Sequence, residues 1–151
     1  MTESRDLQTG FSGGCQCGAC RFTVTPGPVN QTVCHCRMCR RAVSNAFAPL
    51  ADVDETRVAW TGTPKTYASS DIAERGFCAT CGSPLFYRRP GTGVIEFMAG
   101  ALDDPERYTP IRNHGAESKL DWPDTLATLP SRDTVFSNGE TVTSYQHEPG
   151  E

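Results

Sequence analysis

Cys15-Gln16-Cys17-Gly18-Ala19-Cys20 (CQCGAC, residues 15–20) and Cys34-His35-Cys36-Arg37-Met38-Cys39 (CHCRMC, residues 34–39) repeat one C-x-C-x-x-C pattern, and Cys78-Ala79-Thr80-Cys81 (CATC) echoes its second half. All eight cysteines of the chain fall in these three groups. Scattered core cysteines have no reason to repeat a spacing. Disulfides need an oxidising compartment, and a chain of 151 residues can bury a core without cross-links. Metal binding explains the pattern. In C-x-x-C a tight turn aims two sulfurs and the intervening N–H groups at one ion, and in C-x-C on an extended segment residues i and i+2 share a face. Gly18 after Cys17 and Gly82 after Cys81 relieve the backbone in such turns. Soft thiolates favour zinc, with iron as the alternative.

Eight thiols divide in two ways. Two four-sulfur sites would both be closed and structural, whereas a four-plus-three division leaves one cysteine over and one zinc with an open position, as catalysis requires. The odd cysteine is then Cys20. It is in register with Phe22 and Val24, which alternate with Arg21, Thr23 and Thr25 as a half-buried strand. A cysteine on an apolar face behaves as a small hydrophobe. On this division Cys15 and Cys17 join the distant Cys78 and Cys81 in one tetrahedral site that staples the start of the chain to its middle. Cys34, Cys36 and Cys39 hold the second zinc. Spacing leaves open whether His35, His114 or an acidic side chain closes that site.

Outward from the cysteines the chain reads as short strands and turns. Residues 1–10 are polar and expected to be flexible, and the Gly13-Gly14 turn leads into the first group. Pro26-Gly27-Pro28 ends the first strand, and a helical turn follows Cys39 over 40–43. Strands are expected over 46–50, over 58–60 with a turn at 61–64, from Lys65, over 85–87 and over 94–99. Residues 102–107 and 124–129 read as helical turns. Residues 131–151 form a polar C-terminal extension to a domain spanning 11–130.

Fourteen glycines and eleven prolines agree with a loop-rich, mainly β domain, and the 37% hydrophobic and 21% charged fractions are ordinary for a soluble protein. A formal net charge of −4 repels polyanions and argues against nucleic acid as a partner. No run approaches the ~18 apolar residues of a membrane span, and the first residues lack the pattern of a secretory signal. The expectation is a cytoplasmic protein with no membrane partner.

The chain resembles the glutathione-dependent formaldehyde-activating enzyme family, which includes the centromere protein V type. The resemblance is carried by Gly14 to Phe22 (GCQCGACRF), Cys34 to Arg41 (CHCRMCRR), Tyr67 to Ser70 (YASS), Arg75 to Leu85 (RGFCATCGSPL), Gly100 to Pro105 (GALDDP) and Ser118 to Trp122 (SKLDW). Together these span about residues 11–130 in the family's order. The resemblance implies a β-tent (Mss-four-like) fold of twisted antiparallel sheets stapled by zinc. It also implies Cys15, Cys17, Cys78 and Cys81 as ligands of a structural zinc, and Cys34, Cys36 and Cys39 as ligands of a catalytic one. The position of Cys20 usually carries an aliphatic residue, in agreement with its place on the strand face. Val43-Ser44-Asn45-Ala46-Phe47 and Arg112 to Glu117 depart from the family pattern where a substrate pocket would form.

The implied activity is that of a carbon–sulfur lyase joining glutathione and formaldehyde into S-hydroxymethylglutathione, with a small thiol as the partner. Alternatives are a related enzyme with another thiol or aldehyde substrate and a zinc-stabilised protein-binding module. Arg37, Arg40 and Arg41 crowd the three-cysteine group, and Arg75 precedes CATC; they suit the carboxylates of a glutathione-like ligand or the thiolate charge, and equally a solvated face. His35 reads as an outward-facing knuckle side chain, Asp103 and Asp104 as a turn or cap, and Trp60 and Trp122 as core or pocket wall.

Overall fold

The computed structural model describes residues 6–134 and 141–148. Of the flexible N-terminus expected over 1–10, residues 1–5 lie outside the described residues, as do 135–140 and 149–151 of the C-terminal extension expected over 131–151. Ten strands are described: β1 (Phe11–Gly14), β2 (Arg21–Val24), β3 (Asn30–Cys34), β4 (Ala48–Asp54), β5 (Val58–Thr61), β6 (Lys65–Ala68), β7 (Glu74–Phe77), β8 (Pro84–Arg88), β9 (Val94–Met98) and β10 (Arg112–His114). One α-helix, α1 (Arg37–Val43), lies between β3 and β4, and short 3-10 turns fill several connections. The fold is mixed α/β, with strands dominating.

The strands form two sheets. One has the order β1-β2-β5 and the other β10-β3-β4-β9-β8-β7-β6. All ladders are antiparallel except β10 on β3. The alternation at Phe22 and Val24 directs both into the space between the sheets, where Phe22 stacks on Phe97 with ring centroids 4.0 Å apart. Phe11, Trp60 and Phe86 pack around this pair. Burial of side chains of this size contributes about 1.5–3 kcal/mol each. Gly76 lies under Phe86: a Cβ there would be 2.1 Å from the ring, so only glycine lets β7 pass beneath it.

The opposite face of the large sheet carries a second, smaller core. Successive β4 residues divide between the two: Ala51 and Val53 join the main core, whereas Ala48 and Leu50 pack with Met98 and Cys39. Hence α1 and the second cysteine group rest on the face turned away from the aromatic core.

The structure differs from or extends the sequence reading in several places. Gly13 and Gly14, read as a turn, end β1 opposite Phe22 and Arg21. Leu7 is fully buried in a 3-10 turn, Leu7–Thr9, whose first N–H groups are met by Asp6. The helix begins at Arg37 rather than Arg40, because Cys36 Sγ accepts from Cys39 N and so acts as its cap. β3 and β10, unmarked by apolar alternation, are held by distant partners: Thr109 N donates to Gln31 Oε1 at 2.7 Å, and Ile111 N donates to Gln31 O. Residues 122–128 form one 3-10 segment that leaves Trp122 52% exposed. Among the described residues no helix is long and apolar enough to cross a membrane.

Candidate metal centres

All eight cysteines are free, and seven of them gather in two clusters. In each cluster the sulfurs lie within 4.8 Å of one another: Cys15, Cys17, Cys78 and Cys81 in the first, Cys34, Cys36 and Cys39 in the second. The eighth, Cys20, is 3% exposed in the main core. Burial pushes its thiol up to about 12, so it stays protonated.

The first centre is built from two turns. Gly18 (φ +79°) follows Cys17 and Gly82 (φ +79°) follows Cys81, each in the left-handed conformation that glycine adopts without strain. Gly82 N donates to Cys78 O at 2.8 Å, closing the C-x-x-C knuckle, and Cys20 N donates to Cys15 Sγ at 3.3 Å. Ser83 ties the turns together, accepting from Gln16 N at 3.0 Å while its hydroxyl lies 3.1 Å from Cys81 Sγ. Cys15 Sγ is 3.7 Å from Cys17 Sγ, which is 3.8 Å from Cys78 Sγ. A zinc tetrahedron with Zn–S of about 2.3 Å has edges of roughly 3.8 Å, so this donor set fits zinc.

The second centre sits where β3 runs into α1. Cys34 ends the strand, Cys36 caps the helix and Cys39 lies in its first turn, facing Leu50 and Met98. Among the described residues no histidine or carboxylate joins the three sulfurs. His35 is 3% exposed and turned away: its Nε2 pairs with Asn113 Oδ1 at 2.8 Å, its N–H donates to His114 O, and its ring packs near Phe47. The outward-facing side chain expected from the knuckle is therefore internal, because β10 crosses beside β3 and supplies its partner. His114 is exposed and outside the cluster. Gly115 (φ +63°) passes so close that a Cβ would lie 2.8 Å from Cys36 N.

Arg75 decides the electrostatics of this centre. It is 4% exposed, and its Nη2 donates to Cys39 Sγ at 3.4 Å. Its guanidinium lies over the Tyr87 ring, 4.9 Å from the centroid. The hydrogen bond from Cys34, working against burial and reinforced by Arg75, lowers the Cys39 thiol to about 5. The same contact with Cys39, together with burial, pushes Cys34 up. Arg75 Nε and Nη1 are buried with no hydrogen-bond partner. A buried guanidinium in this state calls for a neighbouring negative charge. Three thiolates around a divalent cation carry a net −1, so zinc fits here as well.

The other sequence candidates separate. Arg40 Nε donates to His35 O at 3.2 Å and supports the loop, while Arg37 and Arg41 are exposed. Asp103, expected in a turn or cap, instead accepts from Arg21 Nη1 at 2.8 Å and from Ser12 Oγ at 2.6 Å. Its partners lie on β2 and β1, some 80 to 90 residues away. A cavity of about 490 Å³ is lined by Cys15, Gln16, Val43, Asn45 and Phe47 among others, so the first of the two stretches that depart from the family pattern lines a cavity, whereas Arg112 to Glu117 does not line this one. Sequence reasoning missed Asn113 and Gly115 as supports of the second centre; the available signal was the glycine itself, a residue type suited to left-handed backbone and close approach.

Comparison with known proteins follows the same lines. The profile of the glutathione-dependent formaldehyde-activating enzyme family matches residues 10–116. A Halomonas elongata protein named "Putative glutathione-dependent formaldehyde-activating enzyme" is 31% identical over 123 residues, covering 74% of this chain and 78% of that one. A Schizosaccharomyces pombe protein named as an uncharacterized lyase is 31% identical over 77 residues, which is 51% of this chain and 56% of that protein. The crystal structure of a Rhodobacter sphaeroides protein superposes with a TM-score of 0.54 at 22% identity, covering 68% of this chain and 98% of that one. This likeness concerns the fold.

Proposed function

The chain belongs to the glutathione-dependent formaldehyde-activating enzyme family, and on that premise we propose that it is a zinc-dependent carbon–sulfur lyase that converts glutathione and formaldehyde into S-hydroxymethylglutathione. In this reading the sheets are the family's β-tent. Cys15, Cys17, Cys78 and Cys81 hold a structural zinc, and Cys34, Cys36 and Cys39 hold a catalytic one. The observation that carries the reading is the unequal donor count, four sulfurs in one cluster and three in the other, with no further donor at the second among the described residues.

Cys34, Cys36 and Cys39 would hold the zinc, which when bound would supply a Lewis acid able to make a thiol more acidic or to polarise a carbonyl oxygen. The chain's own residues prepare that site. Arg75 Nη2 donates to Cys39 Sγ and brings a buried positive charge to the three sulfurs, and Cys39 N–H donates to Cys36 Sγ and fixes its position. Leu50, Met98 and Ala48 close the sheet side of the cluster against water. The His35–Asn113 hydrogen bond and the close passage of Gly115 hold the Cys34–Cys36 segment in place. In the net reaction a C–S bond forms, the carbonyl π bond breaks, and the thiol proton ends on the new hydroxyl oxygen.

The test is magnetisation exchange between formaldehyde, glutathione and their adduct, with and without the zinc-loaded protein. Acceleration that disappears in Cys36→Ser supports the reading. No acceleration at any glutathione concentration rejects this reaction.

A further inference from the structure

Part of the C-terminal extension returns to the first metal centre. Residues 141–148 lie beyond the stretch 10–116 that matches the family profile, and every one of them is exposed except His147. His147 N–H donates to Gln16 O at 2.7 Å. Its ring lies against Gly18, where a Cβ would be 2.7 Å from the ring carbon Cγ and 2.9 Å from Nδ1. The segment therefore grips the residues on both sides of Cys17. Gly18 makes the left-handed turn of the cluster and also leaves the space that the ring fills. Gln146 and His147 wall the cavity of about 490 Å³ together with Cys15, a volume within the range of small-molecule sites. Val43, Met98 and Ala101 on the same lining belong to the smaller core around Cys39, so the cavity lies between the two centres. The hold on the segment is light. One backbone hydrogen bond favours a closed state by about two- to tenfold, and Val142 and Tyr145 nearby are 54% and 87% exposed. A segment anchored through one half-buried side chain opens without disturbing the sheets.

We propose that residues 144–148 are a strap that closes this cavity, latched by His147 on the turn from Gln16 to Gly18, and that the strap governs how fast small molecules reach the first metal centre. Cys15 is 5% exposed and lines the cavity, so a small molecule inside it meets the four-sulfur cluster at Cys15. His147 is not a donor of that cluster; it holds the backbone of Gln16 and the face of Gly18. The latch therefore acts on rates rather than on affinity. A gate with the same contacts in the loaded and the empty protein slows entry and exit alike and leaves the equilibrium where it was. This role is independent of the lyase reading.

The experiment follows zinc release from the zinc-loaded full chain to the chromophoric chelator pyridylazoresorcinol. His147→Pro removes both the N–H donor and the ring, and Tyr145→Ala, at an exposed position of the same segment, is the control. Melting temperature establishes that both variants are folded. In His147→Pro one zinc equivalent should leave at least about fivefold faster while the other keeps its native rate. Equilibrium competition should give both zincs an affinity within about twofold of native, and Tyr145→Ala should behave as the native protein. An unchanged release rate overturns the strap. So does acceleration of both zincs, acceleration of equal size in Tyr145→Ala, or a faster release matched by an equal loss of affinity, which would make the segment a brace for the cluster. None of these readouts involves glutathione or formaldehyde, so failure of the strap leaves the lyase reading standing.

Discussion

Arg75 Nη2 lies 3.4 Å from Cys39 Sγ, and three residues after Arg75 the same segment delivers Cys78 to the other cluster. Strand β7 and its exit therefore serve both cysteine centres, placing a buried cation against one and a cysteine sulfur into the other. Replacing Arg75 by Met removes the charge that offsets the three thiolates while keeping most of the packing volume. The second centre is then expected to hold zinc at least tenfold more weakly, a loss of about 1.4 kcal/mol or more. Competition with a chromophoric chelator measures this, and the first centre should keep its zinc. Equal retention at both centres would show that Arg75 has no electrostatic role.

The two clusters are expected to fail differently. The native protein should contain two zincs per chain. Cys36→Ser should leave one zinc and a cooperative thermal transition. Cys78→Ser opens the site that ties residues 15–17 to residues 78–81. It should lower the melting temperature by about 10 °C or more, as expected for the loss of several kcal/mol in a domain of this size. Complete unfolding of Cys36→Ser would make the three-sulfur cluster structural.

Cys20 is a core residue that sits beside the four-cysteine cluster. Its N–H donates to Cys15 Sγ, and this bond survives replacement of the side chain. Cys20→Ala should retain two zincs by elemental analysis and cost on the order of 1 kcal/mol in denaturant unfolding, the effect of removing one small buried group. Loss of a zinc would return Cys20 to the ligand set.

Gly115→Ala places a methyl group 2.8 Å from Cys36 N and forces a left-handed conformation on a residue with a Cβ. Strain of about 1–2 kcal/mol from the backbone alone is expected, with weakened zinc binding at the second centre and none at the first. Zinc release measured separately for the two sites checks it.

Glu96 should make stability fall as pH rises. Burial, reinforced by Asp52 across the β4–β9 ladder and by Cys39, raises its carboxyl from 4.5 to about 7. The folded state therefore binds the proton more tightly than the unfolded one. The neutral acid's contribution is fully present below pH 4.5 and is lost as pH climbs through about 7, a change of about 3 kcal/mol. Glu96→Gln should flatten the stability profile over this interval and exceed the native protein in stability at pH 8. Unchanged curves from chemical denaturation would refute the raised value.

Much of the site could be read from the chain because ligand spacing is local physics. C-x-C and C-x-x-C constrain where sulfurs point within a few residues, and Gly18 and Gly82 mark turns that only a residue without a Cβ makes easily. The Phe22–Val24 alternation likewise located a core strand and put Cys20 on its inward face. Elements held by polar or distant partners were not legible: β3 buries Gln31 and Thr32, and β10 pairs with a strand some 80 residues earlier.

The sequence alone determined which residues can share an ion, that the family's motifs occur in order, and that eight thiols form three groups. Only the tertiary structure decided how those groups combine, by folding Cys78 and Cys81 onto Cys15 and Cys17 and keeping Cys34, Cys36 and Cys39 apart. It also turned His35 inward and set Arg75 against Cys39. The reason is physical: a turn fixes the directions of neighbouring side chains, whereas burial and charge pairing depend on which distant strand arrives beside them.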